Sequence, residues 1–201
     1  MSSSKKDLSI YVVEDDSAVL KSLCALLNAH GHSTIPCASA ENFLRVFDPN
    51  RKACLLLDVR LPGMSGTQLQ SHLNEIGIAL PTIVVTAHGD VPIAVQAMRA
   101  GAIDFIEKPA QAEDILNAVD LAIGMLFNRQ PAVLSKQIVA DRLAKLTDRE
   151  RDVLHHLLLG KLNKEIANEL NVSQRTVEGH RSRIREKMHA RGIADLIRML
   201  G

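Results

Sequence analysis

Ala53-Cys54-Leu55-Leu56-Leu57-Asp58-Val59-Arg60-Leu61-Pro62-Gly63-Met64-Ser65-Gly66 is the stretch that decides the fold. Five residues with almost no polar side-chain atom are followed at once by a carboxylate, and then by a Pro-Gly turn. A short apolar run bounded by turn residues reads as a strand buried on both faces. A helical pattern over 67–76 follows it. The same alternation continues on both sides. Residues 8–13 read as a buried strand, and 17–29 as a helix in which Val19, Leu20, Leu23, Leu26 and Leu27 recur at helical spacing. Residues 33–37 are a weaker strand and 40–47 a short helix. Two more strands, 81–86 and 103–107, precede helices at 92–100 and 112–125. Near-continuous apolar strands alternating with helices predict an α/β architecture, a parallel sheet wound with helices on both faces.

The polar residues of this half stand where strands end. Glu14, Asp15 and Asp16 follow the first strand, Asp58 the third, Thr86 ends the fourth, and Lys108 follows the fifth. Open parallel sheets bind ligands outside the carboxyl ends of their strands, so these groups converge on one rim. Crowded carboxylates repel and need a cation, and Mg²⁺ takes carboxylate, water and phosphate oxygens. A carboxylate can also act as a nucleophile and form an acyl phosphate, whose charge an ammonium, a hydroxyl and Mg²⁺ would neutralise. Asp58 suits the nucleophile, Glu14 and Asp15 the metal, Lys108 the ion pair and Thr86 a hydrogen bond to a phosphate oxygen. Taken singly, each is an ordinary turn, cap or loop residue; the four segments together carry the reading.

Val12-Val13-Glu14-Asp15-Asp16, Leu57-Asp58-Val59-Arg60-Leu61-Pro62-Gly63-Met64-Ser65-Gly66, Val85-Thr86-Ala87 and Lys108-Pro109 resemble the signature of response-regulator receiver domains over about residues 8–125. The resemblance implies a flavodoxin-like (βα)5 doubly wound sheet, and a histidine kinase as phosphodonor to Asp58. It also implies Mg²⁺ held by Glu14, Asp15, Asp58 and the Arg60 backbone carbonyl, and a cis bond at Lys108-Pro109. Asp16 is then the acid with no part in the site. Residues 89–92 and 101–109 look like FixJ-type receivers. In that group Phe105 is the switch aromatic, and the helix-strand-helix face from about 91 to 123 forms dimers. Ala110 stands where relatives often carry Phe.

The alternation stops near Met125. Residues 1–125 hold 9 Lys and Arg against 14 Asp and Glu, a net charge of −5; residues 126–201 hold 15 against 9, a net of +6. An acidic half and a basic half suggest different partners, and a basic, regularly structured region points to nucleic acid. With one Tyr, four Phe and no Trp, stacking platforms for single strands are disfavoured. Residues 126–142, which include Pro131, read as a linker between a 1–125 domain and a 143–201 domain. The latter shows four helices: Thr147-Asp148-Arg149-Glu150 is a capping box opening one that runs to about Leu159, 163–170 is a second, Ser173 caps a third to about Met188, and 194–200 is a fourth.

Two helices joined by the tight Asn171-Val172 turn describe a helix-turn-helix. On a helical wheel Val177, Ile184 and Met188 form an apolar stripe, opposite Arg175, Glu178, Gly179, Ser182 and Arg185. Arg175 could read guanine and Glu178 cytosine. Arg181, Arg183, Lys187 and Lys164 suit phosphates, and Thr176 joins the candidate contacts. Gly179 costs helix stability, which suggests close approach of the backbone to bases. Leu146-Thr147-Asp148-Arg149-Glu150, Asn163-Lys164-Glu165-Ile166-Ala167, Arg175-Thr176-Val177-Glu178 and His180-Arg181 resemble the LuxR-type DNA-binding domain over about 143–200. Gly192-Ile193 departs from the usual Ser-Arg, so a weaker cap on the last helix is expected.

Together these motifs resemble the NarL/FixJ family of response regulators. The resemblance implies a phosphorylation-dependent transcription regulator in the cytoplasm, a homodimer when phosphorylated, with promoter DNA and RNA polymerase as partners and no membrane contact. Two alternatives stand beside it. An aspartyl-phosphate phosphohydrolase of the haloacid-dehalogenase kind would carry a second Asp two residues after the nucleophile, where Arg60 stands, so an enzyme is not expected. A binding module that ignores phosphate and dimerises constitutively would leave the acidic rim unexplained. Cys24, Cys37 and Cys54 sit in apolar surroundings and read as buried, reduced thiols. No signal peptide or membrane span is expected. His30, His32, His155 and His156 lack the companions of a zinc site.

Overall fold

The computed structural model describes residues 8–87, 90–127 and 136–200. Residues 8–87 and 100–127 form one compact unit, and residues 90–99 and 136–200 a second. In the first, β1 (Leu8–Val13), β2 (Ser33–Cys37), β3 (Lys52–Leu57), β4 (Thr82–Thr86) and β5 (Asp104–Glu107) form one parallel sheet in the order β2-β1-β3-β4-β5. The helices of this unit are α1 (Ser17–Ala29), α2 (Ala40–Val46), α3 (Gly66–Glu75) and α5 (Ala112–Leu126); α4 (Val91–Arg99) connects β4 to β5 along the chain and groups with the second unit.

Successive side chains of a strand point to opposite faces, and the core obeys this. Ile10, Val12, Cys54, Leu56, Ile83 and Val85 pack with Leu23 and Leu27 of α1 and Ile115 and Val119 of α5. Tyr11, Val13, Leu55 and Leu57 face the other way, onto Phe43 of α2 and Leu69 and Leu73 of α3. Every residue of β1 and β4 is buried, as is all of β3 past Lys52. The weaker strand β2 is an edge, which is where Pro36 is tolerated. The cysteines are free. Burial pushes the Cys37 thiol up to about 11, with Cys24 adding to the rise, and pushes Cys54 to about 12. Both are therefore unreactive thiols.

The second unit contains α6 (Lys136–Ala144), α7 (Asp148–Leu158), α8 (Asn163–Glu169), α9 (Gln174–Met188) and α10 (Ile193–Leu200). Val153, Leu157, Ile166, Val177, Ile184 and Met188 make its core. The α8–α9 turn places Asn171 at φ 53°, a conformation Asn tolerates better than most residues. Helix α6 corrects the linker reading of 126–142 and the count of four helices. Its own apolar periodicity is weak, and tertiary contacts hold it. Leu143 packs on the core, and the Arg142 guanidinium donates to the Met188 carbonyl at 2.8 Å. At its other end the linker reading overlaps α5, which runs one residue further, to Leu126. Residues 128–135 of that linker, together with residues 1–7 and Gly89, lie outside the described residues. Among the described residues, no helix is long and apolar enough to cross a membrane.

Candidate phosphoryl-acceptor site and nucleic-acid interface

The register explains why the acidic residues meet. Val13 of β1 pairs with Leu57 of β3, so the next residues, Glu14 and Asp58, emerge side by side. The Asp58 N–H donates to the Val13 carbonyl at 2.9 Å. Across the sheet, the Lys108 N–H donates to the Thr86 carbonyl at 2.8 Å, which places both at the same rim. Lys108 Nζ reaches Asp58 Oδ2 at 2.6 Å and Glu14 Oε2 at 2.5 Å. Glu14, Asp58 and Thr86 are buried, and Asp15 is exposed at the mouth. Burial pushes the Glu14 carboxyl above its ordinary range; the Lys108 ammonium offsets part of that rise and the Asp58 charge adds to it. For Lys108, burial pulls the ammonium down, and the two carboxylates outweigh it, so its pKa lies above the ordinary value.

One carboxylate oxygen from each of Glu14, Asp15 and Asp58 lies within 4.8 Å of the others. Three hard oxygens on one spot, one of them open to solvent, match the donor set Mg²⁺ prefers. Asp16 stands apart: its Oδ1 accepts from the Ala18 and Val19 amides at 2.8 and 3.1 Å and caps α1. Those bonds hold its carboxyl below the usual range. The backbone past Asp58 is folded back tightly. Asp58 Oδ1 accepts from the Arg60 N–H at 3.0 Å, and Gly66 donates to the Val59 carbonyl at 2.9 Å. A Cβ on Gly66 would lie 2.1 Å from the Asp58 carbonyl oxygen, so only glycine fits there. The Lys108-Pro109 bond is cis. Phe105 is half-buried on β5, and Ala110 packs against the α1–α5 side of the core.

Helix α9 buries Val177, Ile184 and Met188 and exposes Arg175, Glu178, Ser182 and Arg185. Ser173 caps it, its hydroxyl accepting from the Thr176 N–H at 3.0 Å and lying 2.8 Å from the Thr176 hydroxyl. Thr176, Gly179, Arg181 and Lys187 are half-buried, and Lys164 is exposed on the first turn of α8. Two of the basic residues are bonded to other side chains of the protein: Arg181 donates to Asn163 Oδ1 at 2.7 Å, and Lys187 Nζ to Glu150 Oε2 at 2.7 Å. Arg183 donates to the Gly179 carbonyl at 3.2 Å and lies 3.9 Å from Glu150. A helical wheel gives the face of a residue but not its partner, so sequence reasoning missed these bonds. His156 Nδ1 lies 3.3 Å from the Glu169 carboxylate, and His30 Nδ1 lies 2.9 Å from the Leu26 carbonyl.

Glu150 joins two roles. It closes the capping box with Thr147, accepting from its N–H at 2.9 Å, and it anchors Lys187. Burial raises its pKa, and the Lys187 and Thr147 bonds outweigh that, leaving it below the ordinary value of 4.5. The charge therefore stabilises above that value, and the contribution disappears as the pH falls through the lower folded pKa. Glu150→Gln keeps the capping acceptor and removes the charge. At neutral pH it is expected to lower the exchange free energy of the Val177 and Ile184 amides by about 1–2 kcal/mol. The gap to the parent should close as the pH falls from the ordinary carboxylate value through the lower folded pKa, and a gap independent of pH would refute the assignment. The departure at Gly192-Ile193 is covered by Asp195, which accepts from the Arg191 N–H at 2.9 Å and also binds the Arg191 and Arg198 guanidinium groups.

Residues 10–120 match the response regulator receiver domain, and residues 144–200 match the bacterial regulatory proteins of the luxR family. The chain belongs to the response-regulator family. It is 41% identical over 193 residues to the transcriptional regulatory protein FixJ of Rhizobium meliloti, covering 96% of this chain and 95% of FixJ. The response regulator protein TodT of Pseudomonas putida is 41% identical over 192 residues, covering 94% of this chain and 84% of TodT. Among solved structures, the response regulator StyR superposes with a TM-score of 0.58 at 36% identity, over 96% of this chain and 98% of StyR. This response regulator thus joins a receiver fold to a LuxR-type helical unit.

Proposed function

We propose that this chain is a transcription regulator switched by phosphorylation, with 1–125 as the receiver and 143–201, extended by α6, as the DNA-binding part. Asp58 accepts a phosphoryl group from a histidine kinase. One of its carboxylate oxygens forms the new bond to phosphorus, the donor's phosphorus–nitrogen bond breaks, and the imidazole leaves. Lys108 neutralises the acyl phosphate, the Thr86 hydroxyl donates to one of its oxygens, and Phe105 responds as the switch aromatic. Glu14, Asp15, Asp58 and the Arg60 carbonyl would hold Mg²⁺, which supplies further charge neutralisation when bound. The observation that carries this reading is the convergence of Asp58 with Lys108 at 2.6 Å and with two further acids.

The phosphorylated protein then acts as a homodimer on double-stranded promoter DNA in the cytoplasm, with RNA polymerase as a further partner. Arg175, Glu178, Gly179, Ser182 and Arg185 face the bases; Lys164 meets phosphate. Thr176, Arg181 and Lys187 act mainly by fixing the helix that reads the groove. A two-fold dimer requires half-sites about one helical turn apart. Light scattering with and without acetyl phosphate and Mg²⁺ tests the switch, with intact-protein mass read in parallel. The expected result is a covalent phosphoryl adduct and a shift from monomer to dimer. Absence of the adduct overturns the phosphorylation reading, whereas an adduct without a dimer overturns only the dimer.

A further inference from the structure

Helix α2 reaches across to the loop that follows Asp58. The ends of that loop are tied together by the Gly66 N–H on the Val59 carbonyl at 2.9 Å, and Arg60 is tied to Asp58 Oδ1. Its outer turn, Pro62-Gly63-Met64, lies away from these bonds. There Glu41, in the first turn of α2 and 23 residues earlier in the chain, accepts from the Met64 N–H through Oε1 at 2.9 Å. The fit is close: Gly63 sits at φ +74°, and a Cβ on it would lie 2.7 Å from the same Oε1. Ser39 caps α2, its hydroxyl accepting from the Asn42 N–H at 3.1 Å, so the helix turn that carries Glu41 is itself held. Helix α2 is itself seated by Phe43, which is fully buried against β1 and β3. Helix α2 therefore brings one charged acceptor to the 62–64 turn, which the Gly66 and Arg60 bonds do not themselves hold.

We propose that Glu41 is a positioning residue for the phosphoryl-acceptor site: by holding the Met64 amide it fixes the 59–65 loop so that the Arg60 carbonyl stays presented beside Asp58. This rests on the metal reading given above. Groups that orient a metal ligand without touching the metal commonly change affinity by 10- to 100-fold. A single bond at the far turn of the loop belongs at the low end of that range.

The test uses the full chain and Mg²⁺ alone, titrated by calorimetry, for the parent, Glu41→Ala, Glu41→Gln and Asp15→Asn. Amide exchange at Met64 is measured without metal, and thermal unfolding is recorded beside it. Alanine is a good helix former at this exposed position, so the fold is expected to persist. Glu41→Ala should raise the Mg²⁺ Kd about tenfold and speed exchange at Met64. Glu41→Gln, which can still accept from Met64, should stay within about twofold of the parent. Parent-like binding by Glu41→Ala overturns the proposal. So does an effect of Glu41→Gln equal to that of Glu41→Ala, because the lost charge rather than the held loop would then explain both. The Asp15→Asn control separates the two layers. If Asp15→Asn loses Mg²⁺ while Glu41→Ala does not, the metal reading stands and only the role of Glu41 falls. If the parent binds no Mg²⁺, both fall.

Discussion

An Asp58→Asn protein is expected to stay folded and to take up no phosphoryl group from acetyl phosphate, under conditions where the parent is fully modified. The amide is close to isosteric with the carboxylate, so the side chain can still accept from the Arg60 N–H as Asp58 Oδ1 does at 3.0 Å. Lys108 loses one partner and keeps Glu14 at 2.5 Å, so no charge is left buried and unpaired. Removing a negative charge beside Glu14 also removes a repulsion that holds the Glu14 carboxyl up. The amide NH2 then stands where Oδ2 accepted from the Lys108 ammonium, and the relieved repulsion on Glu14 offsets that lost bond, so only a small change in thermal stability is expected. The amide has no anionic oxygen to attack phosphorus, so intact-protein mass should show no adduct, and light scattering should show no phosphate-dependent dimer. An adduct on Asp58→Asn would place the acceptor elsewhere, at Asp15 or another acid. Loss of dimerisation without loss of the adduct would separate the site from the switch.

Much of this site could be read from the chain because its parts are short-range. An apolar strand that ends in a polar residue places that residue at the sheet's rim, and β1, β3, β4 and β5 deliver Glu14 and Asp15, Asp58, Thr86 and Lys108 in turn. The flanking α/β pattern supplies the parallel order, and with it the meeting of Glu14, Asp58 and Lys108. What escaped reading depends on pairings distant in sequence. Helix α6 has little apolar periodicity and a proline before it, and it forms because Leu143 and Arg142 find partners on the core and at Met188. Lys187 reads as a phosphate contact on a wheel, yet its ammonium lies on Glu150, 37 residues earlier. Glu41 is one acid among many in the sequence, and only the folded chain brings it to Met64.

Gly179→Ala is expected to make the protein more stable and its DNA binding roughly 5- to 150-fold weaker. Glycine inside a helix costs about 1 kcal/mol relative to alanine, and Gly179 lies in the interior of α9. Nothing in the described protein requires that sacrifice. The φ angle is ordinary, and a Cβ at this position would meet only the flexible end of Arg183, at 3.5 Å. On the proposed reading the constraint is the DNA, since Gly179 lies on the side of α9 opposite Val177, Ile184 and Met188, among Arg175, Glu178 and Ser182. A methyl group there would hold the helix away from the base edges and weaken every contact beside it. A loss of about 1–3 kcal/mol corresponds to roughly 5- to 150-fold in affinity. The duplex for the measurement is one selected from random sequence by the parent protein. Arg183→Ala serves as the control, since Arg183 donates to the Gly179 carbonyl at 3.2 Å and is the side chain an added methyl would touch. If Arg183→Ala weakens binding as much as Gly179→Ala, the glycine acts through that arginine. If Gly179→Ala alone loses affinity while its melting temperature rises, close approach of α9 to the DNA is the reason for the glycine. A more stable Gly179→Ala that binds like the parent would leave this helix face without a groove to enter.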